Sequence, residues 1–241
     1  MARDCDRQSI LGDFMPRGCA GRNEKGRRLP KPTSPSASPR FILASASARR
    51  LDLLAQIDLT PDLVEPADID ETVLKGESPR AHVARLAGEK AAAVAARHGD
   101  ALVLAADTVV ACGRRILPKA ETPEHARDCL RLLSGRRHLV LSAVCLVLPG
   151  GGAADRTVRA RTVETAVRFK RLEASEVETY IQQGEWRGKA GGYAIQGYAA
   201  TFVAWINGSY SNVVGLPLFE THALLKSAGL AARKPDAPQS R

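Results

Sequence analysis

The chain has no stretch of about 20 apolar residues, the length a membrane-spanning helix needs, and its N-terminus has no apolar secretory core. No membrane partner is expected, and the cytoplasm is the expected location. Its five cysteines, Cys5, Cys19, Cys112, Cys129 and Cys145, form no C-x-x-C pair and no zinc spacing. Reduced thiols are expected, with Cys145 inside the apolar run Leu139–Leu148. Three phosphate-handling motifs are missing as well. GEWRGKA is one spacer residue short of a Walker A loop and has no Ser or Thr after its lysine. GGYAIQG does not spell G-x-G-x-x-G after a strand. Val109 stands two residues after Asp107, where an aspartyl-phosphate enzyme would need a second Asp.

What is present starts with charge. The 241 residues are 44% hydrophobic and 25% charged, which suits one globular domain with room for two lobes. Of the net charge of +9, residues 1–40 carry +5, from nine Lys/Arg against four Asp/Glu, which leaves +4 for residues 41–241. Residues 1–40 mix charges with Gly and Pro and show no sustained period. They read as a disordered basic extension, with Met15 as an alternative start. The mildly basic remainder fits a pocket for a small polyanion better than a duplex-binding face, so nucleic acid is not the expected partner. The domain is expected to span residues 41–229, with a loose tail at 230–241.

One acid stands out. Ala101 to Val110 (ALVLAADTVV) is a nearly unbroken apolar run with a single carboxylate, Asp107. Such a run reads as a strand covered on both faces. An ionised Asp there is costly unless it is paired, bound to a metal or placed where the sheet opens into a cleft. A turn-capping Asp is the alternative. Upstream, Phe41–Ala44 reads as a strand, followed by a turn and a helix with Leu51, Leu54 and Ile57 inward; Ser45 or Ser47 is the expected N-cap. Arg49 and Arg50 then fall in the first turn, where the helix dipole disfavours a cation by about 0.3–1 kcal/mol. A bound phosphate would offset that, two solvated arginines being the alternative. On the phosphate reading, removing either arginine should leave the unliganded protein as stable or slightly more so.

DLTPDLVEPADIDET reads as a strand and then a loop clustering Asp68, Asp70 and Glu71, a set that is either solvated or suited to a hard divalent cation. Ser78-Pro79 opens a long helix expected to stop at Gly99, and Val83, Leu86, Ala87, Lys90 and Val94 share one stripe of it. Lys90 therefore either snorkels or reaches into a cleft. ACGRRI reads as a hairpin turn leading to Leu117-Pro118-Lys119, and Thr122-Pro123-Glu124 as the start of a helix ending near Gly135. His138–Leu148 reads as a strand, PGGGAAD as a flexible loop, and residues 156–171 as a strand pair. Residues 174–183 read as a helix with Val177, Tyr180 and Ile181 inward. Glycines 184, 188, 191, 192, 197, 208 and 215 imply tight turns, and a last helix covers Leu216–Ala228.

SASARR after the first strand, ADTVV, LSGRRH and above all KAGGYAIQG followed by GSYSNVVGLP resemble the Maf family of nucleoside triphosphate pyrophosphatases, from about Phe41 to Leu225. The resemblance implies an α/β fold akin to the inosine triphosphate pyrophosphatases: a mixed, strongly curved sheet flanked by helices, with two lobes around a cleft. It implies cleavage of a nucleoside triphosphate to monophosphate and pyrophosphate, and commonly a homodimer. YAIQG resembles the branch acting on dTTP and UTP rather than the branch acting on 7-methyl-GTP. Position by position, Asp107 matches the catalytic acid that activates water, and Glu71 matches its partner in holding Mg²⁺ or Mn²⁺. Lys90 and Lys119 match phosphate contacts, Ser45 and Arg50 substrate-binding positions of the SASARR turn, and Arg49, Thr108 and Gln196 positions tied to substrate choice. Ala48 and Ala120 replace prolines common in the family, which should loosen two loops without removing a reacting group. The alternatives are a pyrophosphatase of different base preference that acts on modified nucleotides, and a cell-division regulator that acts by binding, since the family is also linked to septum formation.

Overall fold

A computed structural model describes residues 39–150 and 156–230. The basic extension up to residue 38, most of the PGGGAAD loop and the tail from residue 231 lie outside the described residues. In chain order the elements are β1 (Phe41–Leu43), α1 (Ala48–Ala55), β2 (Leu63–Val64), α2 (Pro79–Ala95), β3 (Leu102–Cys112), β4 (Arg115–Leu117), β5 (Lys119–Ala120), α3 (Pro123–Leu133), β6 (Arg137–Val147), β7 (Val158–Phe169), α4 (Ala174–Gln183), β8 (Lys189–Ala190), β9 (Val203–Asn207), α5 (Tyr210–Val214) and α6 (Leu218–Ser227). Seven strands form an open mixed sheet in the order β2-β1-β3-β6-β7-β9, with β4 folded back on the end of β3. β1 runs parallel to β2 and β3; the pairs from β3 through β6 and β7 to β9 are antiparallel. β5 and β8 make a separate two-stranded sheet.

The apolar run around Asp107 is the covered strand β3, and its period of two decides the site. Leu102, Leu104, Ala106 and Val110 join the larger core with Phe41, Leu54, Leu130, Phe169 and Phe202. Val103, Ala105, Val109 and Ala111 pack instead with Val83, Ala87, Ala91 and Val94 of α2. By the same alternation Asp107 belongs to the α2 face and Thr108 to the opposite one. Ser78 caps α2 by accepting the Ala81 N–H at 3.2 Å, with Pro79 as the first helical residue.

Three expectations need correction. The helix expected to reach Gly99 ends at Ala95, because its last turn tightens through Arg97 N–H to Val94 O and His98 N–H to Ala95 O. Arg97 and His98 then turn to Glu65, each at 2.5 Å. The strand pair expected at 156–171 is one twelve-residue strand, β7, in unbroken register with β6 from Val158↔Val147 to Arg168↔Arg137. That stretch has no Gly, Pro, Asn or Asp to turn the chain. Neither Ala48 nor Ala120 lies in a loop. Ala48 opens α1, and Ala120, fully buried, pairs with Lys189 and accepts the Gly188 N–H at 2.9 Å. Among the described residues no helix is long and apolar enough to cross a membrane.

Candidate active site

A cleft of about 450 Å³ lies where the β1–α1 turn meets the α2 face of the sheet. Ser45, Arg49, Arg50, Glu71, Lys90, Asp107 and Lys119 line it, so most of the expected residues converge from five separate segments.

Lys90 does not snorkel: buried on the apolar face of α2, it reaches across to β3. Its Nζ donates to Asp107 Oδ1 at 2.6 Å and pairs with Glu71 Oε1 at 2.5 Å, while Glu71 Oε2 accepts from Lys119 Nζ at 2.5 Å. The result is an alternating row, Asp107–Lys90–Glu71–Lys119, of which the inner end is buried and the outer end exposed. Partial burial alone would raise the Glu71 carboxyl, but the ammonium groups of Lys119 and Lys90 hold it down at about 2. Among the described residues Asp107 Oδ2 has no hydrogen-bond partner, and Asp107 lines the cleft.

Glu71 and Asp107 fit a divalent cation of one kind. Both carboxylates already converge on a single positive charge, the Lys90 ammonium. Among the described residues no group of three or more His, Cys, Asp or Glu could hold a metal. These two donors therefore suit an ion such as Mg²⁺ that takes one or two protein carboxylates and completes its shell with substrate oxygens and water. Asp68 and Asp70 do not join them. Both are exposed, and Asp70 Oδ1 accepts the Thr72 N–H at 2.9 Å.

The two arginines divide their tasks. Arg50 donates from Nε to Gly215 O at 2.9 Å, from Nη1 to Ser45 Oγ at 2.8 Å and from Nη2 to Thr108 Oγ1 at 3.3 Å. The compensation that the helix dipole called for is thus partly internal, and these three bonds argue against the expectation that removing Arg50 leaves the unliganded protein as stable. Burial lowers its pKa to about 10, with Asp107 acting in the opposite direction, so it remains a cation at neutral pH. Arg49, beside it in the same turn, has no hydrogen bond or ion pair among the described residues; burial lowers its pKa. Ser47 occupies the N-cap position of α1 without capping by its side chain, and Ser45 Oγ accepts the Ser47 N–H at 3.3 Å. The first N–H groups of α1 stand uncapped beside two arginines, a disposition that suits a phosphate.

Thr108 is not a lining residue. It sits under Arg50 on the other sheet face, 2.8 Å from Ser142 Oγ and 3.3 Å from Gly215 O. The GSYSN segment proves to be scaffold. Ser209 Oγ caps α5 through the Asn212 N–H at 3.2 Å, and buried Asn212 donates to Val140 O at 3.0 Å and Thr165 Oγ1 at 2.9 Å. Gly208, at φ +129°, lies where a Cβ would come within 2.7 Å of Thr165 Oγ1. This packing sets the Gly215 carbonyl under Arg50.

Gln196 is exposed and does not line the cleft. Its loop is pinned where Ala194 N–H donates to the Tyr180 hydroxyl at 3.1 Å and Tyr198 N–H to Glu185 at 2.9 Å. Lys189 does line the cleft and escaped the sequence reading. Its signal was the lysine that opens KAGGYAIQG. Burial, then Arg49, lowers its pKa.

An open α/β sheet with a cleft of paired carboxylates, clustered cations and a bare helix N-terminus defines a protein built to handle a polyphosphate. The description "Maf-like protein" belongs to the family model that matches residues 40–228, and the chain belongs to that family. It is 62% identical over 191 residues to a Paramagnetospirillum magneticum protein named dTTP/UTP pyrophosphatase, covering 79% of this chain and 98% of the relative. A Caulobacter vibrioides protein of the same name is 59% identical over 194 residues, covering 80% and 98% respectively. One from Rhodospirillum rubrum is 59% identical over 189 residues, covering 78% and 88%.

Proposed function

We propose that the cleft hydrolyses nucleoside triphosphates, dTTP and UTP foremost, to the monophosphate and pyrophosphate. The observation that carries this is the Asp107–Lys90–Glu71–Lys119 row beneath the uncapped start of α1. The relatives named dTTP/UTP pyrophosphatase support the substrate class.

Asp107 acts as general base. Lys90 occupies Oδ1 and keeps the carboxylate in place, so Oδ2 takes a proton from a water aimed at the α-phosphorus. The bond from that phosphorus to the oxygen bridging to the β-phosphate breaks, and pyrophosphate leaves with the electron pair. Arg49, Lys90, Lys119 and Lys189, with the N–H groups of α1, bind the phosphate charge, and positioning with electrostatics supplies most of the rate. Arg50 holds Ser45 and the turn in register and adds its own charge. Glu71 and Asp107 would hold Mg²⁺ or Mn²⁺, which supplies neutralisation of phosphate oxygens when bound. On this reading the nucleobase faces the Gln196 loop, which the Tyr180 hydroxyl anchors by accepting the Ala194 N–H at 3.1 Å. There the Gln196 amide can pair with the N3–H donor and a carbonyl of uracil or thymine together. The same proposal includes a cytoplasmic setting, in keeping with free Cys112, Cys129 and Cys145, and a homodimer, for which exposed Val158 and Phe219 offer an apolar surface.

The test is pyrophosphate release from dTTP, UTP, CTP, GTP and 7-methyl-GTP with Mg²⁺ or Mn²⁺. Wild type should prefer dTTP and UTP, Asp107→Asn should lose about 10²–10⁴-fold while still folded, and Gln196→Glu should flatten the base preference. A folded Asp107→Asn variant with near-normal turnover would remove the base assignment. Silence with every nucleotide would favour a regulator that only binds.

A further inference from the structure

We infer that Arg85, outside the cleft, is the positioning residue for Glu71, setting that carboxylate for the divalent cation; the inference rests on the proposed function. Every residue from Asp70 to Gly76 is exposed, with Val73 at 45% and Leu74 at 54%. No apolar burial fixes the segment that carries Glu71. Glu71's own ties are its ion pairs to Lys90 and Lys119, and both lysines are assigned to the substrate's phosphates. When the lysines turn to phosphate, something else must keep Glu71 in place.

Arg85 is the group that does so. Its Nη2 donates to Thr72 O, the carbonyl next after Glu71, at 2.9 Å. Its Nε and Nη2 grip Glu77 at 2.8 and 3.0 Å, and Glu77 Oε2 also accepts the Leu74 N–H at 3.0 Å and meets His82 Nδ1 at 2.9 Å. One planar fork therefore fastens both ends of the exposed segment to α2, the helix that also carries Lys90. The hydrogen bonds from Arg85 hold the Glu77 carboxyl well below the usual range, against the effect of desolvation, so the fork stays charged on both sides at neutral pH. Neither Arg85 nor Glu77 lines the cleft.

The experiment counts Mn²⁺ bound to the full-length protein with a non-hydrolysable dTTP analogue, by electron paramagnetic resonance of the free ion. Pyrophosphate release is followed in parallel as Mn²⁺ is varied. Arg85→Met should weaken Mn²⁺ binding by about 10–100-fold, as loss of a ligand's supporting partner does, with kcat at saturating Mn²⁺ close to wild type. Arg85→Lys, which keeps the charge without the fork, should recover only part of the affinity. Should Arg85→Met fail to fold, Glu77→Gln decides, with a smaller loss in the same direction. Unchanged Mn²⁺ affinity in these variants, or a loss of kcat and melting temperature without a loss of affinity, overturns the inference while wild-type activity upholds the proposed function. A wild type that neither binds Mn²⁺ nor releases pyrophosphate removes both.

Discussion

Replacing Lys90 with methionine takes away one ammonium and leaves two carboxylates facing each other. Lys90 Nζ is 2.6 Å from Asp107 Oδ1 and 2.5 Å from Glu71 Oε1, with side-chain exposures of 11% for Lys90, 7% for Asp107 and 38% for Glu71. The Asp107 pair is therefore shielded, and breaking such a pair from one side costs about 3–5 kcal/mol. The half-solvated Glu71 pair adds at most about 1 kcal/mol. Methionine keeps an apolar stem against the α2 face, so a cavity contributes little. Relief of Asp107 by water from the cleft puts the expected loss near the low end, about 3 kcal/mol, or roughly 6–12 °C in melting temperature. Magnesium separates this argument from a packing defect. Without the ammonium, Glu71 and Asp107 are available to a cation, and one present at about 100 times its Kd adds about 2.7 kcal/mol, nearly the whole loss. In wild type the ammonium competes, and Mg²⁺ without nucleotide should raise the melting temperature far less. The assay is thermal unfolding followed by circular dichroism at zero and saturating Mg²⁺. A variant that melts within about 2 °C of wild type, or that gains no more from Mg²⁺ than wild type does, would refute the reasoning.

Two further outcomes follow from the same structure. Arg50→Ala should cost about 1–3 kcal/mol in urea unfolding, because Ser45, Thr108 and Gly215 O lose a charged partner; Arg49→Ala should stay within about 0.5 kcal/mol and weaken only nucleotide binding. Equal losses would mean that Arg50 is not the anchor. His138, buried against Phe169 and Tyr193, has its pKa pushed down by burial to about 4. The unfolded chain then binds the extra proton first, so this contribution is complete above about pH 6.5 and falls away toward pH 4. Between pH 6.5 and 5 the loss should be about 2 kcal/mol, at about 1.4 per pH unit, and His138→Leu should abolish that slope. Glu71, depressed to about 2, acts only below the ordinary Glu range and does not overlap this window.

The local devices were legible in the sequence because they depend on neighbours along the chain. The apolar run of β3, the Ser78 and Thr122 caps, and a lysine on the apolar stripe of α2 all follow from periodicity and capping chemistry. The motifs likewise led to the family, and seven of the nine site residues they named line the cleft. What the sequence left open was who meets whom. Whether Lys90 snorkels or reaches inward was undecided until the sheet set it against Asp107, 17 residues away, and Glu71 against Lys119, 48 residues away. Register decided it, since a one-residue slip of β3 would exchange the faces of Asp107 and Thr108. The partner of Arg50 was hidden from the sequence for a related reason. The helix dipole is a property of its own segment, whereas the Gly215 carbonyl that compensates it lies 165 residues on. Segments without burial were hardest to read, and the Glu71 loop shows why: its position is written in the fork of Arg85, a polar contact across space that leaves no period in the chain.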